Sequence, residues 1–128
     1  MKKAESALKS KSYSFAIRIV KLTQYLQNEH KEYTLSRQVL KSGTSIGALV
    51  KEAEFAQSKL DFIHKMSIAL KEANETSYWL SLLNDTDYIE DKLFGSLQID
   101  CKELLAILVS IVKTTKSNIL QEKMKSKE

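Results

Sequence analysis

Two histidines, one cysteine and sixteen carboxylates are the groups from which this 128-residue chain would have to build a catalytic or metal centre. Bundles that hold two metals take Glu from two helices and a Glu-x-x-His pair from each of two others. The nearest match is Asp61-x-x-His64, which occurs once, and the other histidine, His30, falls at a predicted helix end. Half a motif does not make a dimetal site. Asp85, Asp87, Glu90 and Asp91 imitate a calcium loop only in composition: Ile89 and Leu93 stand where ligands belong, and the central glycine is missing. Cys101 lies at a core-type position and no Gly-x-Ser-x-Gly elbow occurs, so no nucleophilic triad can be drawn. The expectation is a protein without catalytic residues, metal or cofactor.

Lysine offers more. Net charge is +4, and it is unevenly spread: residues 1–31 carry seven Lys/Arg against two Glu, residues 32–112 eight against twelve acids, and residues 113–128 five against two. Lys2, Lys3, Lys9 and Lys11 near one end, with Lys113, Lys116, Lys123, Lys125 and Lys127 near the other, are the candidates for holding phosphate. The plainer alternative is that they solubilise loose ends. Tyr13, Tyr33 and Tyr78 are candidates for stacking on bases, although Tyr on an outer helix face is more often a subunit-contact residue.

The elements that must position these groups are helices. Proline is absent and glycine occurs three times, so little interrupts a helix. Helix 1 is expected from a cap at Ser10 or Ser12 to about Asn28–His30, with Phe15, Ile19, Leu22 and Leu26 at 4-3-4 spacing. Helix 2 should run from about Thr34 to Ala56, and helix 3 from about Ser58 to Leu83. Asn84-Asp-Thr-Asp87 reads as a turn, and helix 4 follows it, with Leu97, Cys101, Leu104, Leu108, Ile111 and Thr115 inward. The predicted fold is all-α, a single domain over 1–128 folded as an antiparallel up-down-up-down four-helix bundle. Its core should hold Phe15, Ile46, Met66, Leu80, Leu104 and Leu108, and about 1–9 and 121–128 are expected as flexible tails. The longest apolar run, Leu104–Val112, is too short to span a membrane, and one cysteine permits no internal disulfide; both fit a cytoplasmic protein. In this topology both basic ends emerge at one pole, opposite Asp85–Asp91.

Gly43 and Gly47 lie one turn apart on helix 2, and each costs about 1 kcal/mol relative to Ala in a helix interior. A tight helix contact would offset that cost. Helix 1 also carries a second apolar stripe, Tyr13, Ile17 and Val20, and helix 4 is apolar nearly all round over 104–112. Because first and last helices are neighbours, Tyr13, Ile17 and Val20 are expected to join Leu105, Val109 and Val112 in one patch between subunits.

Three segments add a resemblance: KSYSFAIRIVKL at Lys11–Leu22, LKSGTSIGALVKEA at Leu40–Ala53 and DFIHKMSIALKEANETSYWL at Asp61–Leu80. Over about Lys11 to Asn118 the chain resembles the bacterial four-helix-bundle family named for proteins encoded in intervening sequences of 23S rRNA genes. It departs from the family pattern at Ala48-Leu49-Val50, where members usually carry Ala-Asn-Ile. The resemblance implies a ring-shaped homo-oligomer, most simply a pentamer, with an RNA- or DNA-associated role. A related branch serves diversity-generating retroelements as an accessory protein that binds a reverse transcriptase and nucleic acid. The combined expectation is a non-enzymatic ring that binds RNA or DNA through its basic pole, and the alternative is a protein-interaction scaffold.

Overall fold

The computed structural model describes residues 2–127, Lys2 by its backbone alone, and they form four helices: α1 (Lys2–His30), α2 (Thr34–Ala53), α3 (Lys59–Asp85) and α4 (Asp91–Ser126). Among the described residues there is no strand. Each helix packs on its sequence neighbours, α4 closes on α1, and the backbones of the diagonal pairs stay apart. The result is a square, antiparallel bundle. Phe15, Ile46, Met66, Leu80, Leu104 and Leu108 are all buried in its core.

Local chemistry sets the joints. At the end of α1, the Glu32 amide donates to Leu26 O at 3.1 Å and Lys31 takes φ 53°, a left-handed helix end made without glycine. α3 begins with a reciprocal cap: the Asp61 amide donates to Ser58 Oγ at 3.0 Å, and Asp61 Oδ2 accepts from the Gln57 amide at 3.2 Å. Asp87, φ 66°, turns the chain between α3 and α4, and Asn84 Nδ2 braces that turn through Ile89 O and Asp91 Oδ1.

The first and last helices are longer than their sequence signals suggest, and α4 stays helical to Ser126, through the segment expected as a tail from 121. α1 begins before Ser10 because Leu8, one heptad ahead of Phe15, is wholly buried, while Ser12 is buried and donates to Lys9 O instead of capping. α2 ends at Ala53, short of Ala56, where the Phe55 and Ala56 amides turn back to Glu52 O and Ala53 O.

Helix length then shapes one pole. Arg18 pairs with Asp100 about 16 residues from the start of α1 but about 26 from the end of α4, so α4 runs about 15 Å past α1. The bond from Cys101 Sγ to Ala73 O gives a similar overhang past the start of α3. α2 does the reverse. Gly47 lies over Ser12 and Thr76 meets Ser42, which leaves the end of α2 about 6–9 Å short of its neighbours. One helix overshoots at this pole, and one corner beside it is open.

Candidate nucleic-acid interface

The open pole is formed by the start of α1, the α2–α3 connection and the end of α4. The structure separates the predicted lysines into two kinds. Lys9 Nζ donates to Glu54 Oε1 at 2.7 Å, and Lys11 Nζ sits 3.1 Å from Glu103 Oε1, so both are spent on neighbouring helices. The Lys9 hydrogen bond holds the Glu54 carboxyl below the usual carboxylate range, so the pair is charged at neutral pH. Lys3 is exposed, and the side chain of Lys2 lies outside the described residues. Lys113, Lys116, Lys123, Lys125 and Lys127 are exposed, and among the described residues no carboxylate lies within 4 Å of any of them.

On α4 the spacing of Lys113, Lys116, Lys123 and Lys127 puts them on one stripe, which continues back to Lys102; Lys125 points to another side. Leu120 and Met124, both exposed, lie among them. An ion pair between Lys59 and Glu122 fastens the α3 start to this segment. Lysines on a projecting helix, free of nearby acids, keep their charge for a partner.

The predicted stacking tyrosines are elsewhere. Tyr33 belongs to the α1–α2 connection at the far pole, Tyr78 stands edge-on to Trp79 on α3, and Tyr13 lies with Ala16, Ile17 and Val20 on the outside of α1. An exposed aromatic that does stand at the open pole is Phe55, 78% exposed on the α2–α3 connection. Its signal in the sequence was a bulky apolar residue between two helical periodicities, and it was missed.

The predicted subunit patch is also redrawn. Val112 is only 7% exposed because it turns into the bundle beside Leu108 and Ile111, so it cannot serve an outer interface. The remaining residues form two patches on different faces. Gln98 bonds Ser77 and Ser81 of α3, and Leu105 and Val109 follow it at helical spacing, so they stand on the α3 side of α4. On α1, Lys11 and Arg18 turn to α4, whereas Val20 precedes Gln27, a donor to Ser36 of α2, by one heptad. The Tyr13, Ile17 and Val20 stripe therefore faces outward on the α2 side, opposite Leu105 and Val109.

The groups that might have carried other chemistry are occupied. His30 Nε2 hydrogen-bonds Tyr25 Oη at 3.1 Å and its ring stands edge-on to Tyr25 and Tyr88. Asp61 caps α3, and His64 is exposed. Among the described residues no group of three or more His, Cys, Asp or Glu is placed to hold a metal ion. Cys101 is buried against α3, and burial pushes its thiol up to about 11, far from a reactive thiolate. No described helix is long and apolar enough to cross a membrane. Gly43 and Gly47 both face α1: a Cβ at Gly43 would come within 2.8 Å of Ile19 Cγ1, and one at Gly47 would lie 3.4 Å from the Ser12 carbonyl oxygen.

Comparison with known proteins agrees with this architecture. Residues 5–110 match the 23S rRNA-intervening sequence protein family. The fold is similar to a 1.70 Å crystal structure of a protein of unknown function from the S23 ribosomal protein family of Bacteroides thetaiotaomicron, with 53% identity and TM-score 0.85 over 86% of this chain and 98% of that one. No match was found among curated proteins.

Proposed function

We propose that this chain, which belongs to the 23S rRNA-intervening sequence protein family, is a non-enzymatic bundle that assembles into a closed homo-oligomeric ring and binds RNA or DNA in the cytoplasm through α4. One observation carries the nucleic-acid part. From Lys113 to its C-cap Lys127 the end of α4 presents five lysines, the last three on the overhang, with no carboxylate within 4 Å of any of them among the described residues and Glu122 turned to Lys59, whereas Lys9 and Lys11 pair with Glu54 and Glu103. Phosphate contacts of this kind release counterions and give affinity without base preference.

The two apolar patches support the ring. A single self-complementary patch would pair with itself about a two-fold axis, whereas two different patches join head to tail, which makes a ring when the rotation from subunit to subunit closes. Tyr13, Ile17 and Val20 of one subunit would meet Leu105 and Val109 of the next, and five subunits is the count expected from the family resemblance. Val109 shares its stripe with Lys102, Lys116 and Lys123, so the subunit contact would sit next to Lys113 and Lys116 and leave Lys123, Lys125 and Lys127 clear on the overhang; a ring repeats these on one face, and that multivalency raises affinity without new contacts.

The test is a salt titration of duplex and single-stranded RNA against the parent and a variant with Lys113, Lys116, Lys123 and Lys127 changed to Glu. The parent should bind with a steep salt dependence. The variant should lose binding while keeping its helicity and subunit number. Equal affinity for both proteins would overturn the nucleic-acid role and favour a scaffold for a protein partner.

A further inference from the structure

The corner left open by α2 is a hollow among α1, α2 and α3, and α4 is reached from it across Ser58 and Lys59, which Lys123 and Glu122 adjoin. Its floor is Val50, Ala53, Phe62 and Met66, and the Lys9–Glu54 pair stands on its rim. It encloses about 640 Å³, within the range of small-ligand sites. Phe55 stands next to it between two residues that line it, Glu54 and Ala56. The connection that presents Phe55 is pinned by its own hydrogen bonds: the Glu54, Phe55 and Ala56 amides donate to Val50 O, Glu52 O and Ala53 O, and the Gln57 amide to Asp61. A ring held outward on a fixed backbone gives up little freedom when something stacks on it.

We infer that this pole recognises unpaired nucleotides, one base entering the open corner and its neighbour stacking on Phe55, while the α4 lysines hold the backbone. The inference rests on the nucleic-acid reading above and narrows it from any phosphate polymer to single-stranded segments, loops or ends. An aromatic face and a positive track are the two parts from which single-strand sites are built. A carboxylate acceptor beside an ammonium donor, as in Glu54 and Lys9, suits the mixed donor and acceptor edge of a base. A duplex keeps its bases stacked and offers neither ring nor edge to such a corner. Lys51, exposed one turn before Phe55, adds a positive charge close to Glu54.

Two variants of the full chain test it: Phe55→Ala removes the platform, and Ser6→Trp, at an exposed α1 position lining the hollow, fills the corner. Fluorescence anisotropy at low salt would follow a labelled 12-nucleotide single-stranded RNA and a blunt duplex of the same length. Each variant should weaken single-strand binding roughly 5- to 150-fold, the range for losing one stacked base, and leave duplex binding within about two-fold. Variants that bind both ligands like the parent, or lose both equally, overturn the unpaired-base site while the lysine interface stands. A parent that binds neither ligand overturns both readings. Sedimentation with vesicles containing phosphatidylserine completes the set: if Phe55→Ala abolishes vesicle binding and spares the single strand, the face belongs to a lipid surface and the proposal fails.

Discussion

Along α2, helix α1 lies so close that Gly43 has no room for a Cβ beside Ile19, whereas along α4 it is held mainly by Lys11–Glu103 and by the Arg18 guanidinium on Asp100 and Ser96. The α1–α4 seam is also the thinnest of the four. The difference teaches where one helix invests shape and where it invests charge. Shape complementarity at native packing density is unforgiving, because a single added carbon must displace buried neighbours. Half-exposed ion pairs are tolerant, because water replaces what is lost.

The largest break in that comparison should come from Gly43→Leu, with a loss of about 3 kcal/mol in urea unfolding, the upper end of overpacking costs. Gly43→Ala should still lose about 1 kcal/mol, since the clash with branched, buried Ile19 outweighs the gain in helix propensity. Gly47→Ala should go the other way and gain about 0.5–1 kcal/mol, because its Cβ meets the Ser12 carbonyl at an ordinary 3.4 Å. If both glycines respond alike, the tight contact does not centre on Gly43.

Arg18→Ala sharpens the other side. Its partners are about one-third exposed or more, so the loss should be only about 0.5–1.5 kcal/mol and should shrink with added salt. Lysine should not restore it, having no fork to span Asp100 and Ser96. Cys101 reports the event directly. Its buried thiol, raised to about 11, should be nearly inert to a thiol reagent at pH 8, and Arg18→Ala should speed its modification roughly 2- to 10-fold, in step with the lost stability. An unchanged rate would mean that α4 does not loosen when its clasp to α1 is cut.

Lys31→Gly touches neither seam and sets the scale for small effects. Its left-handed φ of 53° suits glycine, so a gain of about 0.5 kcal/mol is expected without any change in Cys101 reactivity. A loss instead would show that the Lys31 side chain, whose Nζ donates to Asn28 O at 3.1 Å, contributes more than its backbone costs.

What was legible in the sequence follows the same division. The repeating Phe15, Ile19, Leu22 and Leu26 pattern, the start of α3 next to Ser58 and the break after Asn84-Asp85 are local, and each appears within about two residues of where periodicity and turn chemistry put it. The glycine pair announced a close contact, although only coordinates show that α1 is the partner and Ile19 the obstacle. Facts that depend on distant chain segments were hidden. Whether Lys9 or Lys113 is free depends on an acid 45 residues away in one case and on its absence in the other. Val112 looked outward because a helix apolar nearly all round does not declare its inner side; its neighbours α1 and α3 decide that. The open corner left no trace, since it comes from a mismatch in length between α2 and the helices flanking it.

The square contact pattern also bears on how the chain reaches this state. Three of its four seams join helices adjacent in sequence through short connections, which favours rapid, locally driven folding. The fourth joins the first helix to the last, so it closes the longest loop for the least contact. Successive hairpins should therefore form early, with the docking of α4 on α1 lagging behind. Mutations in that seam should then appear in the unfolding rate and scarcely in the folding rate, while those at Gly43 slow folding itself.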